Sequence, residues 1–347
     1  MIKGVSVYLG LEKSLEENIS LLVRASQCGY SKVFLSLHLP EANSQQVTAE
    51  LGKLVEAAHK LKLKVMGDVA QAGEIADSLD EVRLDEYFSP EEIALFHRQH
   101  PEQRIILNAS TLEEKFLLAL KAQGLTGREL GAVHNFYPRP HTGLSEAHFL
   151  KQNELLRAHG FGVGAFLPSQ VGKRAPLYQG LPTLEECRHL TIAEGSMYLT
   201  SLGVEELYIG DDGPSEEELL ALGQSLPEVV ELPLTVLAQG AWIERFLAAT
   251  YTVRPDEAQQ VVRALESRTL AQNISVPAEK ALPRNYGAVT VDNDLAGRYK
   301  GELELVREDL PSAGEVNVLG YLLPEVCIYL KMLKPGRKFC FKPVSAK

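Results

Sequence analysis

Residues 134–145 read His-Asn-Phe-Tyr-Pro-Arg-Pro-His-Thr-Gly-Leu-Ser, which crowds two histidines, an asparagine, a tyrosine and an arginine into one short segment. Pro138 and Pro140 forbid a helix there. The apolar run 130–133 just before it reads as a buried strand, so the segment is a loop leaving a strand end. Such a loop suits an anionic, oxygen-rich ligand. Carboxylates stand at other strand ends: Asp85, Asp68 and Glu41, in that order of preference, with Asp211 and Asp212 further on. Cleavage of a glycosidic bond needs two carboxyl groups, one to protonate the leaving oxygen and one to attack or to activate water. Asp85 ranks first because strand alternation puts it on the same face as Arg83, while Glu86 faces the other way. For any one of these acids the competing role is a helix cap or a structural ion pair.

The loop 169–174, Ser-Gln-Val-Gly-Lys-Arg, follows a seventh strand pattern, where barrels often hold a phosphate. Gly172 permits close backbone approach, and Lys173 and Arg174 supply charge, with Arg139 reaching in from the sixth strand end. A metal site is poorly supported. His134 and His141 share no helical face, and His38 pairs only with Asp68 or Glu41 across strands. No cofactor is expected: the GxG within 160–164 precedes a strand, and neither a GxSxG elbow nor a nucleophilic cysteine is present.

The elements that must position these groups alternate regularly. Strand patterns at 5–9, 32–39, 63–69, 81–87, 104–108, 131–135, 162–167 and 206–210 are interleaved with helical patterns. The helices fall at 14–26, 44–60, 90–100, 111–123, 145–159, 183–202 and 215–222. Eight such units in about 225 residues predict an α/β chain built on a (β/α)8 barrel rather than an open sheet. Within the strands, Val5, Val7, Val33, Leu35, Val82 and Leu84 share the parity that packs on helices. Ser6, Tyr8, Ser36, His38, Arg83, Asp85 and Asn108 would then line the axis. After about residue 226 the rhythm changes to a strand at 229–237, a helix at 254–270 and short strands at 288–292, 301–305, 315–319 and 338–341. The expected division is a catalytic domain over 1–227 and a small β-rich domain over 228–347.

Composition bounds the partners. The 347 residues are 45% hydrophobic and 23% charged, as in a chain that buries a substantial core. A net charge of -11 argues against general nucleic-acid binding, and no basic run suggests a membrane surface. No stretch approaches the roughly 18 apolar residues of a membrane span, and the N-terminus lacks a signal-peptide pattern. Cys28, Cys187, Cys327 and Cys340 form no CxxC pair, so neither disulfides nor zinc are expected. A cytoplasmic location follows as the expectation.

Several segments together resemble one family, the 6-phospho-N-acetylmuramidases, once labelled outer surface proteins. They are 6–10, 36–41, 83–85, 108–111, 134–145, 173–185 and 209–211, then 254–256, 292–293, 297–303 and 316–320, and they span nearly the whole chain. The sequence departs from the family's usual pattern after Asp85, where Glu86-Tyr87-Phe88 stands, and after Asp68, where Val-Ala follows. The resemblance implies a (β/α)8 TIM barrel followed by a cyclophilin-like β-barrel domain. It also implies hydrolysis of the bond between 6-phospho-N-acetylmuramic acid and N-acetylglucosamine in cytoplasmic recycling of cell-wall fragments. The partner is then a phosphorylated amino-sugar disaccharide. Asp85 with Asp68, or Glu41, would serve as the acid and its carboxylate partner. Arg139, Lys173 and Arg174 would grip the phosphate or the lactyl carboxylate, and His134, Asn135, Tyr137 and Asn108 would orient the sugar. Tyr8, His38, Arg83, Gln170 and Asp211 complete the expected lining. Which acid attacks, or whether the acetamido group of the substrate does, stays open. So do two other readings: a metal-dependent sugar-phosphate isomerase or aldolase, and a non-catalytic sugar-phosphate sensor. The second domain would cover the barrel mouth or join copies of the chain into a homo-oligomer.

Overall fold

The structure is a computed structural model that describes residues 1–37, 39–69, 78–84 and 88–344. Met1–Ser225 and Leu226–Lys347 form two compact units. In the first, eight parallel strands close into a barrel in chain order, with the last pairing back onto the first. They are β1 (Ile2–Val7), β2 (Lys32–Ser36), β3 (Lys64–Val69), β4 (Glu81–Leu84), β5 (Arg104–Asn108), β6 (Leu130–Val133), β7 (Val163–Leu167) and β8 (Glu206–Ile209). The helices are α1 (Leu15–Gln27), α2 (Ser44–Lys60), α3 (Pro90–Gln99), α4 (Glu114–Ala122), α5 (Glu146–Ala158), α6 (Ile192–Ser201) and α7 (Glu216–Ala221). Four begin with a capping box, Ser14 with Glu17, Ser89 with Glu92, Thr191 with Glu194 and Ser215 with Glu218. The helical pattern expected over 183–202 shortens to α6 because Thr191 starts the helix there.

Strand alternation sorts the side chains as expected on the outer face, where Val5, Val7, Val33, Leu35, Val82 and Leu84 are buried. The inner face is layered. At the N-terminal end Lys32 pairs with Glu81 and Glu206, both at 2.8 Å. Since β2 and β8 are not neighbours, these contacts cross the interior. Above them Phe34, Met66, Ile106, Phe166 and Tyr208 meet in one apolar cluster, with the Phe34 and Phe166 rings 5.2 Å apart. An eight-stranded barrel leaves an interior that side chains fill, so the axis is plugged by aromatic groups and polar residues gather above the plug. Among the described residues no helix is long and apolar enough to cross a membrane.

The second unit holds one seven-stranded sheet in the order β10-β15-β9-β14-β12-β13-β11. The strands are β9 (Val229–Val236), β10 (Thr250–Thr252), β11 (Val261–Arg263), β12 (Ala288–Asp292), β13 (Leu303–Val306), β14 (Val316–Leu322) and β15 (Lys338–Val344). It curls as a half-barrel around a core that includes Leu232, Phe246, Tyr251, Val291, Leu305 and Phe339. Short helices α8 (Trp242–Leu247), α9 (Ser267–Leu270) and α10 (Tyr329–Met332) complete it. The helix expected over 254–270 is corrected: Val261 and Val262 pair with Val306 and Leu305 as β11, and only α9 is helical. Arg254 and Arg263 both reach Asp256, at 3.0 and 2.6 Å, which folds the stretch into a turn. Tertiary pairing overrides the local helix pattern of this stretch.

Candidate active site at the barrel mouth

Two clusters form above the aromatic plug. The first is built on neighbouring strands, where Ser36, Asp68 and Arg83 lie side by side in register. The Asp68 carboxylate accepts the Ser36 hydroxyl at 2.9 Å and the Leu37 N–H at 2.6 Å. Two fixed donors hold its orientation. Arg83 is buried and donates to the Asn135 side-chain oxygen.

Asn135 is itself anchored from behind. Its N–H donates to Ser110 Oγ at 3.0 Å, and Ser110 Oγ is 3.1 Å from His134 Nδ1. His134 Nε2 is 2.9 Å from Asn153 Oδ1 on α5, and its ring lies against Phe149. Burial pushes the imidazole down to about 4, so it is neutral near pH 7 with one donating and one accepting nitrogen. The His134 ring therefore faces the helix layer, not the mouth. It positions Asn135, which in turn holds Arg83.

The second cluster centres on Arg174. Its N–H donates to Asp211 at 2.8 Å, its Nε donates to the Ala175 carbonyl at 3.0 Å, and its guanidinium lies 4.5 Å over the Tyr8 ring. The ring of Phe136 is 5.7 Å away on another side. Only 6% of Arg174 is exposed, yet its buried Nη1 has no hydrogen-bond partner, and no described carboxylate forms an ion pair with it. A buried charge of this kind is costly unless paired. The Tyr8 and Phe136 faces compensate it in part, and what remains attracts an anion. Tyr8 donates its hydroxyl to the Gly210 carbonyl at 2.6 Å, which fixes the ring as a floor.

Asp211 does not face a ligand with free oxygens. It accepts N–H groups from Ser169, Arg174 and Leu181 at 2.9, 2.8 and 3.3 Å and so ties the loop after β7 to β8. Burial still pushes its carboxyl up to about 6. Burial also raises Asp212, against the pull of Lys13 and Arg174. Gly172 is needed for close approach, but to Gly213: a Cβ there would fall 1.8 Å from the Gly213 carbonyl oxygen. Lys173 is half-buried with no ion pair to a described residue.

The remaining candidates fall into three groups. Gln170 donates its amide to the Arg188 and Leu190 carbonyls at 3.1 and 2.9 Å, and the Asn108 amide oxygen takes the Ser110 N–H at 3.1 Å. Asn108 also borders an apolar recess of about 400 Å³ between α3 and α4, lined by Leu84, Ile93, Leu107 and Phe116. Leu84, Leu107 and the α3 and α4 residues in its lining put that recess on the helix side of the wall. Tyr137 is half-buried, while Arg139 and Glu41 are exposed. His38 and Asp85 lie outside the described residues. Among the described residues no group of three or more His, Cys, Asp or Glu side chains is placed to hold a metal ion.

Arg188 escaped the sequence reading, although it organises the opening loop. Only 2% exposed, it donates to the carbonyls of Tyr137 and Arg139 at 3.0 and 3.1 Å, and to those of Gln179 and Gly180 at 3.2 and 3.1 Å. Its partner Glu185, at 2.6 Å, accepts the His141 and Gly143 N–H groups at 2.9 and 2.7 Å. Arg188 holds the Glu185 carboxyl down to about 2. The only signal in the sequence was the acid–base spacing of three residues, which many surface helices share. Phe136, in the same loop, is not among the expected lining residues, yet its ring lies 5.7 Å from the Arg174 guanidinium.

Comparison with known proteins places this geometry. The model of the 6-phospho-N-acetylmuramidase N-terminal domain matches residues 3–224, and that of its C-terminal domain matches 232–342. The chain belongs to this family. A glycosidase-type function goes with that membership. A crystal structure of an uncharacterized B. cereus protein is similar at 25% identity and a TM-score of 0.72, covering 98% of this chain and 99% of that one. A conserved Enterococcus faecalis protein of unknown function is similar at 28% identity and a TM-score of 0.64, covering 99% and 96%. No curated protein matches.

Proposed function

We propose that the barrel hydrolyses the bond joining 6-phospho-N-acetylmuramic acid to N-acetylglucosamine, within cytoplasmic recycling of cell-wall fragments. The observation that carries this reading is Arg174: a buried guanidinium over an aromatic floor, with a partnerless Nη1 and no ion pair to a described carboxylate. A phosphorylated sugar fits both halves of that arrangement. Its phosphate takes the guanidinium, and its apolar ring face lies against the half-buried Phe136, while the buried Tyr8 ring supports the guanidinium from below. Lys173 and Arg139 add charge to the same grip.

Asp68 acts on the glycosidic carbon or its attacking water, its orientation fixed by Ser36 and Leu37. Asp85, assigned from sequence parity beside Arg83, is the second carboxyl group of the pair. Arg83 and Asn135 hold sugar substituents between them. The 1–227 domain is thus the catalytic one. The curled sheet of the other unit supports reading it as cyclophilin-like.

The test is turnover of the 6-phosphorylated disaccharide against its unphosphorylated counterpart. The phosphorylated substrate is expected to react at least about thirtyfold faster in kcat/KM, from one lost charge-assisted contact of about 2–5 kcal/mol. Equal rates would remove the phosphate grip. Near-normal turnover by Asp85→Asn or Asp68→Asn would remove that residue from the catalytic pair.

A further inference from the structure

The second unit carries a cation-lined hollow that the barrel chemistry does not use. Arg254 follows β10, Arg268 and Thr269 sit on α9, Gln272 follows α9, and Arg298 and Lys300 lie on the turn between β12 and β13. They border an open-sided cavity of about 550 Å³ whose lining includes no carboxylate. In a chain of net charge -11, four cations around one hollow is a marked reversal of sign.

The acids stand behind the cations and are too few. Glu302, with 8% of its side chain exposed, is 3.1 Å from Arg254 and 3.8 Å from Arg268, so one carboxylate serves two guanidiniums. Asp256 reaches Arg254 but also Arg263. Lys300 is 3.4 Å from Asp294 and donates to the Ile274 carbonyl at 3.0 Å. Arg298 has no ion-pair partner among the described residues. It donates to the Tyr299 hydroxyl at 2.6 Å and lies 4.8 Å over that ring. Arg268 is 5.7 Å from the same ring and donates to the Arg298 carbonyl at 2.6 Å. The guanidiniums are therefore oriented by a carboxylate, a carbonyl and an aromatic face, while positive charge is left over. Gly297 keeps one side open, since no atom lies within 4 Å of where its Cβ would be.

We propose that this hollow binds a phosphate monoester. Forked guanidiniums match phosphate oxygens in pairs, and an ammonium adds a point charge. Thr269 and Gln272 supply a hydroxyl and an amide for whatever the phosphate is attached to. Free phosphate and a sugar phosphate share this chemistry. The inference stands on the second unit alone and survives any failure of the barrel reading.

Equilibrium dialysis of full-length Arg174→Ala protein, which lacks the central cation of the barrel grip, tests it with radiolabelled inorganic phosphate and with N-acetylglucosamine 6-phosphate. Saturable binding of a single equivalent is expected, weakened about tenfold or more when Arg298→Ala is added and partly restored by Arg298→Lys. Arg298 is exposed, and its side chain meets Tyr299 at the surface, so its loss leaves the core intact. Tighter binding of the sugar phosphate than of phosphate means that Thr269 and Gln272 read the sugar, and equal binding means that the phosphate alone is recognised. Absence of saturable binding of either ligand, or binding unchanged by Arg298→Ala, overturns the proposal.

Discussion

The two ends of the barrel bury cations in opposite ways. At the N-terminal end Lys32 is enclosed by Glu81 and Glu206, with Arg104 3.9 Å from Glu206 and the Tyr208 hydroxyl on the same carboxylate at 2.9 Å. Every charge there has a partner within the fold. At the mouth Arg174 is as deeply buried but rests on aromatic rings, with Nη1 unpaired. A compensated charge is part of the scaffold, whereas one left short of partners stores attraction for something that arrives later. The difference separates structure from function without reference to any ligand.

Lys32→Met gives the largest effect expected from breaking this contrast. It leaves two buried carboxylates facing each other, which costs about 3–5 kcal/mol. Chemical denaturation is expected to show that loss, with kcat of the folded fraction nearly unchanged; a loss under about 1 kcal/mol would mean the network is hydrated and not scaffold. Arg174→Ala is expected to do the reverse. Stability falls by only about 1–2 kcal/mol as the ring contacts go, while kcat/KM on the phosphorylated disaccharide falls by about 2–5 kcal/mol in barrier terms. Turnover of the unphosphorylated sugar should barely change. If both substrates suffered equally, Arg174 would be shaping the mouth rather than holding the phosphate.

The sequence shows one end of this contrast better than the other. Alternation of Val5, Val7, Val33 and Leu35 marks the helix-facing side, because side chains on a strand repeat every second residue. The same period shows Ser36 and Arg83 turning inward, yet Phe34 shares the parity of Ser36 and plugs the axis instead. Polarity at one level of a barrel says nothing about the next level down. Loop residues were harder, since His134 and Asn135 are adjacent but face different layers, one toward α5 and one toward Arg83. Gly172 looked like a ligand cradle, but its missing side chain makes room for the Gly213 backbone. Such close approaches depend on two loops meeting, and no local pattern encodes that. Arg188 was invisible for the same reason: its carbonyl partners come from two segments far apart in the chain.

A third way to bury a titratable group is to keep it neutral, and His134 does this between the two extremes. Burial lowers it from 6.5 to about 4, so between those values the unfolded chain binds a proton that the folded chain refuses. Its contribution to stability is present above about pH 6.5 and is lost as pH falls toward 4, worth at most about 3 kcal/mol. Asp211 works in the opposite sense over an overlapping window. Burial raises it from 3.8 to about 6, so the folded state holds the extra proton and stability falls as pH rises through that range. The wild-type curve alone therefore hides both. The difference in unfolding free energy between wild type and His134→Gln, measured from pH 7.5 to 4.5, isolates the histidine. It is expected to be largest at neutral pH and to shrink on acidification, because the substituted amide has no proton to gain. A difference independent of pH would place the His134 ring in water, and the link from Asn153 through Ser110 to Asn135 would lose its anchor.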